Sequence, residues 1–372
     1  VTDTAATWVR RNAPPDEDYL VAHEFIERAR NNLNRNIWDY LIGGTETETT
    51  VARNRLALDS VAFRPRVLVD VSRVDATAAF FGKKTRLPIA LAPVGSLESF
   101  DPGGGATVAK AAGMFGVPFF CSSVTKPGLE EIADAATGPK VFQLYVRGDD
   151  GFIDDHATRA IDRGFDAFCI TVDTALYSRR ERDLTKRFRK YWRAQEGVDF
   201  QAALNWGHIE RFKSKHRVPL IIKGIATAED ARHAVEIGVD AVYVSNHGGR
   251  QLDHGRGSLD VLPEVVDAVA GRAKVIVDGG FSRGTDIIKG IALGADTVAI
   301  GRLYLYGLAA DGADGVVRLL EILENEVEQS LGLLGVSRFE DLNGGFLHPA
   351  TPVVPPHVHS AFPHLNLPRE TY

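Results

Sequence analysis

Eight short apolar runs recur along the chain, rich in β-branched residues and closed by turn formers. They are LPIALAP (87–93), VPFFCSS (117–123), KVFQLY (140–145), DAFCITVD (166–173), VPLIIKG (218–224), DAVYVSN (240–246), AKVIVDGG (273–280) and DTVAIGR (296–302). Their apolar positions are continuous rather than alternating, the pattern of parallel strands covered on both faces. Between the runs the apolar spacing becomes helical. In TAEDARHAVEIG (227–238), Thr227 offers a cap, acids fill the first turn, and Gly238 stands where a left-handed stop is easiest. RGTDIIKGIALGA (283–295) has the same logic. Eight strand–helix repeats predict an α/β fold, a (β/α)₈ TIM barrel. A doubly wound open sheet is the alternative, because pattern alone does not show closure.

Three segments lie outside the repeat. Residues 1–80 form an N-terminal extension with a helical stretch over 22–42 that ends at Gly43-Gly44. The barrel occupies 81–345, with a polar, aromatic-spiked insertion over 189–215, after the fourth run. The tail 346–372 is rich in Pro and His, which favours an extended arm over a packed helix. Without Cys or acidic partners, its histidines are expected to be solvated rather than to bind metal.

The 372 residues and 44% apolar content suit one large barrel with additions. A net charge of −6 provides no basic field for nucleic acid or anionic lipid. No stretch approaches the ~18 apolar residues of a spanning helix. VTDTAATWVRR at the start lacks the apolar core of a signal peptide. Cys121 and Cys169 both sit in apolar runs and are expected to be buried free thiols. A soluble, cytoplasmic protein is the expectation.

In such a barrel the C-terminal strand ends face one mouth. Those ends carry Gln143 and Tyr145, Thr171 and Asp173, Lys223, His247 and Arg250, Asp278, and Arg302. Each has an ordinary alternative: Lys223 a surface charge, Asp173 a helix cap, His247 a turn hydrogen-bonder. Acid, base and cation at strand after strand instead suggest a site. SNHGGRQLD (245–253) poses the question most sharply, since a turn needs its glycines but not its His and Arg. The last two runs end in DGG (278–280) and GR (301–302), where backbone N–H groups and Arg302 can approach an anion. A phosphorylated ligand is expected there.

SNHGGRQLD, with TVDT and the following RR (171–180), FQLY (142–145), LIIKG (220–224) and DGG…IGR, resembles the FMN-dependent α-hydroxy acid oxidase and dehydrogenase family, in order from about Tyr40 to about Gly345. The resemblance implies an FMN cofactor and oxidation of an L-2-hydroxy acid to a 2-oxo acid. O₂ is the implied acceptor, giving hydrogen peroxide, or another acceptor in its place. His247 is the implied base, with Asp173 pairing its imidazole. Arg250 and Arg180 are the implied carboxylate clamp, Tyr40 a donor to the same carboxylate, and Tyr145 a neighbour of the substrate hydroxyl. Lys223 is implied beside the flavin, and Ser122, Gln143 and Thr171 as hydrogen-bonders to its ring. Ala92, Pro93 and Val94 are implied to lie against that ring, and Ser245, Asp278, Gly280, Arg283, Gly301 and Arg302 to complete the cofactor site. A homotetramer is also implied.

Departures from the family pattern are informative. Ser282 replaces the usual arginine after DGG, leaving Arg283 as the candidate for that contact. Gly95 stands where many of the oxidases carry Ala, and members with Gly include a dehydrogenase and a monooxygenase. Val124 replaces an aromatic, and Tyr177 occupies a variable position. Gly95 and Val124 are expected to enlarge the substrate pocket. Tyr191, Trp192, Phe200 and Trp206 of the insertion suggest a lid over a larger, aromatic hydroxy acid such as mandelate, the alternative being that they only pack the loop. A non-redox FMN barrel or a flavin-free scaffold are the other readings.

Overall fold

The structure, a computed structural model, describes residues 19–188 and 199–367. Eight parallel strands close into a barrel: β1 (Ile89–Leu91), β2 (Phe119–Ser122), β3 (Lys140–Leu144), β4 (Ala167–Thr171), β5 (Leu220–Ile225), β6 (Ala241–Val244), β7 (Lys274–Val277) and β8 (Thr297–Ile300). All eight apolar runs are strands of this one sheet. Val298 of β8 pairs with Ile89 of β1, which completes the circle. Alternate side chains fill the interior, where small Ala90, Ala167, Ala241 and Ala299 leave room for Phe120 and Tyr243. The hairpin Ala78–Phe80/Lys83–Thr85 closes the N-terminal end, with Phe80 edge-on to Phe120 at 6.1 Å. Cys169 lies inside the barrel and Cys121 in the outer core; both are free and buried. Among the described residues no helix is long and apolar enough to cross a membrane.

The regions outside the repeat differ from expectation in three respects. The stretch 22–42 is two helices, Ala22–Asn32 and Arg35–Ile42. Leu33 is extended and the Asn34 side chain accepts from Ile37 N–H, so a polar cap breaks the run. The insertion is shorter than 189–215, because Trp206–Lys215, capped by Asn205, is the barrel helix that precedes β5. Trp206 packs on His233, ring centres 4.5 Å apart, and Phe200 packs on the core; neither lines the mouth. Tyr191 and Trp192 lie outside the described residues.

The third difference is the arm. Leu347–Pro349 pairs antiparallel with Val61–Phe63, and the chain then climbs back to the mouth. His359 is buried rather than solvated, stacked on Trp38 at 5.7 Å and 2.9 Å from Tyr306 Oη. Burial depresses its pKa to about 3, so it sits there as a neutral imidazole.

Candidate active site

The mouth holds a cleft that is open to solvent on one side. The loop after β6 explains its glycines. His247, Gly248 and Gly249 all adopt left-handed φ, of 59°, 64° and 76°. A Cβ on Gly249 would lie 2.6 Å from Val51 N, and one on Gly248 2.9 Å from the Arg302 guanidinium. The loop therefore tucks beneath the helix Thr49–Asp59 and turns His247 and Arg250 into the cleft.

His247 Nδ1 lies 3.0 Å from Asp173 Oδ1, and its Nε2 3.2 Å from Tyr145 Oη. An ionised carboxylate only accepts, so Nδ1 carries the hydrogen and Nε2 presents its lone pair. Burial lowers the His247 pKa; Asp173 opposes this and Lys223 adds to it. The result is a neutral imidazole ready to take a proton. Burial also works against the Asp173 charge, but His247 and Lys223 prevail and hold its carboxyl below the usual range. Burial, then Asp173, pushes the Tyr145 phenol well above its usual range, so it remains a donor.

Arg250 NH1 donates to the carbonyls of Tyr40 and Gly43, at 2.8 and 2.7 Å. Its guanidinium lies over the Tyr40 ring at 4.8 Å. Arg180 donates to the Arg250 carbonyl at 3.4 Å and to Gln251 Oε1 at 3.3 Å, above the exposed ring of Tyr177. Burial, then the like charge of Arg180, lowers the Arg250 pKa. Tyr40 Oη donates to Gly95 O at 3.2 Å. Gly95 and buried Val124 share a wall: a Cβ on Gly95 would meet Val124 Cγ2 at 2.7 Å.

Lys223, at the end of β5, donates to Ser245 Oγ at 2.8 Å and lies 3.6 Å from Asp278. Burial disfavours its charge, yet Asp278 and Asp173 more than offset that and raise its pKa. Ala92, Pro93 and Val94 line the cleft beside Lys223 and Asp278. Ser122, Gln143, Thr171 and Ser245 are fully buried at the strand ends. Gln143 Nε2 donates to Thr171 Oγ1 at 2.9 Å, while its Oε1 is buried with no partner. Whichever way that amide is turned, one of its polar atoms awaits a ligand.

Gly280, Gly301 and Arg302 also line the cleft, and Arg302 donates to the carbonyls of Leu41 and Gly43, sharing the latter with Arg250. Arg283 does not join them. Its guanidinium pairs with Glu326, at 2.6 Å, and reaches Ala361 O at 3.4 Å, because that carboxylate sits across the helix start. Ser282 reaches the cleft instead. Asn54, Arg55, Phe100, Leu305, Tyr306 and His357 also line it and are absent from the sequence reading. Asn54 and Arg55 come from the helix Thr49–Asp59, Phe100 from the loop after β1, Leu305 and Tyr306 from the helix after β8 and His357 from the arm, where no local motif marks them.

A buried orphan amide, a floor lysine and a glycine-lined end with an arginine fit a flavin with a phosphate tail. Fold and site together define a flavin-dependent barrel oxidoreductase. The chain belongs to the FMN-dependent dehydrogenase family, whose model matches residues 29–349, and FMN is its cofactor. An L-lactate oxidase of Nostoc sp. is 36% identical over 353 residues, covering 87% of this chain and 97% of that one. A peroxisomal (S)-2-hydroxyacid oxidase of Arabidopsis thaliana is 38% identical over 339 residues, covering 86% and 93%. Among solved structures, a mandelate oxidase with (S)-2-phenylpropionate superposes with a TM-score of 0.83 at 38% identity, covering 91% of this chain and 100% of that one.

Proposed function

We propose that this enzyme oxidises an L-2-hydroxy acid with a bulky, aromatic side chain, mandelate-like, to the 2-oxo acid, with O₂ as acceptor and hydrogen peroxide as second product. The observation that carries this reading is a pair of cleft arginines, Arg180 and Arg250, that among the described residues meet only neutral acceptors, beside the neutral imidazole of His247. Two guanidiniums with no carboxylate among the described residues call for one from the substrate.

Each residue then has a task. Arg250 and Arg180 grip the carboxylate, Tyr40 donates to it, and Tyr145 holds the substrate hydroxyl near His247. His247 Nε2 takes a proton from the substrate, and Asp173 stabilises the imidazolium that forms. Lys223 sets a fixed positive charge beside the ring that receives the electrons. Gln143, Thr171, Ser122 and the Ala92–Gly95 wall hold that ring, while Asp278, Ser245, Gly280, Gly301 and Arg302 hold the rest of the cofactor. When bound, FMN would supply the two-electron acceptor for this oxidation and the site of reoxidation by O₂.

The shared Gly95/Val124 wall supports the bulky substrate, since neither residue reaches far into the cleft. Val67, Leu68 and Leu333 are exposed apolar residues on segments that Arg66 N–H and Leu334 O tie together, which supports association into a homotetramer, and two buried free thiols support a cytoplasmic setting. The test is anaerobic bleaching of the FMN by a panel of glycolate, lactate and mandelate, then readmission of air with peroxide measured. Fastest bleaching by mandelate and stoichiometric peroxide are expected. Strict preference for glycolate removes the bulky substrate, absence of peroxide removes O₂, and no bleaching by any member removes the reading.

A further inference from the structure

The family match ends at residue 349, yet His357 and Val358 of the arm line the cofactor cleft. What holds them there is specific. Arg302 opens the helix after β8, and Tyr306 lies one turn on, on the same face. Tyr306 Oη and the Trp38 ring seat His359, which fixes the arm two residues from His357. The His359 N–H donates to His357 Nδ1 at 3.2 Å, and the His357 N–H donates to Ser360 Oγ at 3.1 Å. With Nδ1 used as an acceptor, the His357 hydrogen resides on Nε2, which is a donor.

The charge balance at this end of the cleft gives that donor a purpose. A phosphate monoester carries about −1.5 to −2 charge near neutral pH. Arg55 is already matched by Asp286 and Asp59, at 2.8 and 2.7 Å. Arg283 is matched by Glu326. Arg302 and His357 are the cleft-lining guanidinium and imidazole of this part of the cleft, among the described residues, that no carboxylate holds; Asn54 also lines it, with its amide given to Asn246 Oδ1.

We propose that the C-terminal arm is a working part of the cofactor site: His357 would donate its Nε2 hydrogen to the FMN phosphate, in addition to Arg302. This rests on the reading of the chain as an FMN enzyme and extends the phosphate site beyond the family's own span. The arm is a phosphate clasp built by this chain.

The test compares two flavins that differ only at the phosphate. Full-length protein is stripped of flavin and titrated with FMN and with riboflavin, following quenching of flavin fluorescence. Wild type binds FMN more tightly than riboflavin. His357→Ala lowers that preference about tenfold or more, the cost of one hydrogen bond to a charged group, and leaves riboflavin affinity unchanged. His357→Arg, which keeps N–H donors, restores the preference. An unchanged preference in His357→Ala, or equal weakening of both flavins, overturns the clasp while leaving the FMN reading intact. A wild-type protein that binds neither flavin overturns both, and is told apart by that result alone.

Discussion

Buried and half-buried arginines appear in this molecule in two settings. Arg86, in the outer core, meets Glu324 in a two-pronged pair, both contacts 2.6 Å, and lies over the Phe115 ring. Arg55 meets Asp286 and Asp59 in the same manner, and its pKa rises although burial opposes it. Arg180 and Arg250 are held differently. Among the described residues they meet only carbonyl, hydroxyl and amide oxygens, and the like charge of Arg180 disfavours that of Arg250. The first kind of arginine is satisfied by the fold and holds it together. The second is placed by the fold and left short of an anion, so its charge is available to a ligand.

The largest effect expected from breaking this contrast is at the imidazole between the two arginines. His247→Ala slows flavin reduction about 10²- to 10⁴-fold with FMN still bound, read by stopped-flow absorbance. Because burial holds the His247 pKa below 6.5, and the base must be neutral, the acid limb of kcat/KM lies below pH 6.5. A limb above that value shows that Asp173 outweighs burial at this imidazole. Glu324→Ala tests the other setting. It leaves Arg86 buried and uncompensated and costs about 3–5 kcal/mol of stability by denaturant titration, with flavin reduction unchanged. Next comes Arg250→Met, which lowers kcat/KM for a 2-hydroxy acid about ten- to hundredfold and leaves stability nearly unchanged. Loss of folding on a scale like that of Glu324→Ala places Arg250 among the structural arginines. The smallest effect concerns a group buried neutral rather than paired. His359 has a folded pKa of about 3 against an ordinary 6.5. Seating of the arm is fully favoured above pH 6.5 and weakens as pH falls from there toward 3, since the released imidazole takes up a proton that the seated one does not. Hydrogen exchange at Ser360, Phe362 and Leu365 is expected to quicken on acidification through that window, ahead of the barrel strands.

The barrel was legible because its strands are buried on both faces and carry unbroken apolar runs; all eight, including the short β1, stand in the sheet. The residues at their C-terminal ends were legible for the same reason, since a strand end in this fold has one place to point. Legibility failed where placement depends on distant partners. Arg283 has the sequence position of an anion ligand, but Glu326, 43 residues on, claims it. Trp206 looked like a lid aromatic, yet Asn205 starts a helix there and turns its ring onto His233. The arm's histidines suggested solvent, and only the fold shows Trp38 and Tyr306 waiting for one of them.

The wall of the cleft runs from Tyr40 to Val358, with the whole barrel strung between. A nascent chain emerging from the ribosome therefore has no finished flavin pocket until the arm has been synthesised and folded back. Coenzyme capture becomes a late event in biogenesis, and a truncated translation product lacking the arm presents an open-sided pocket.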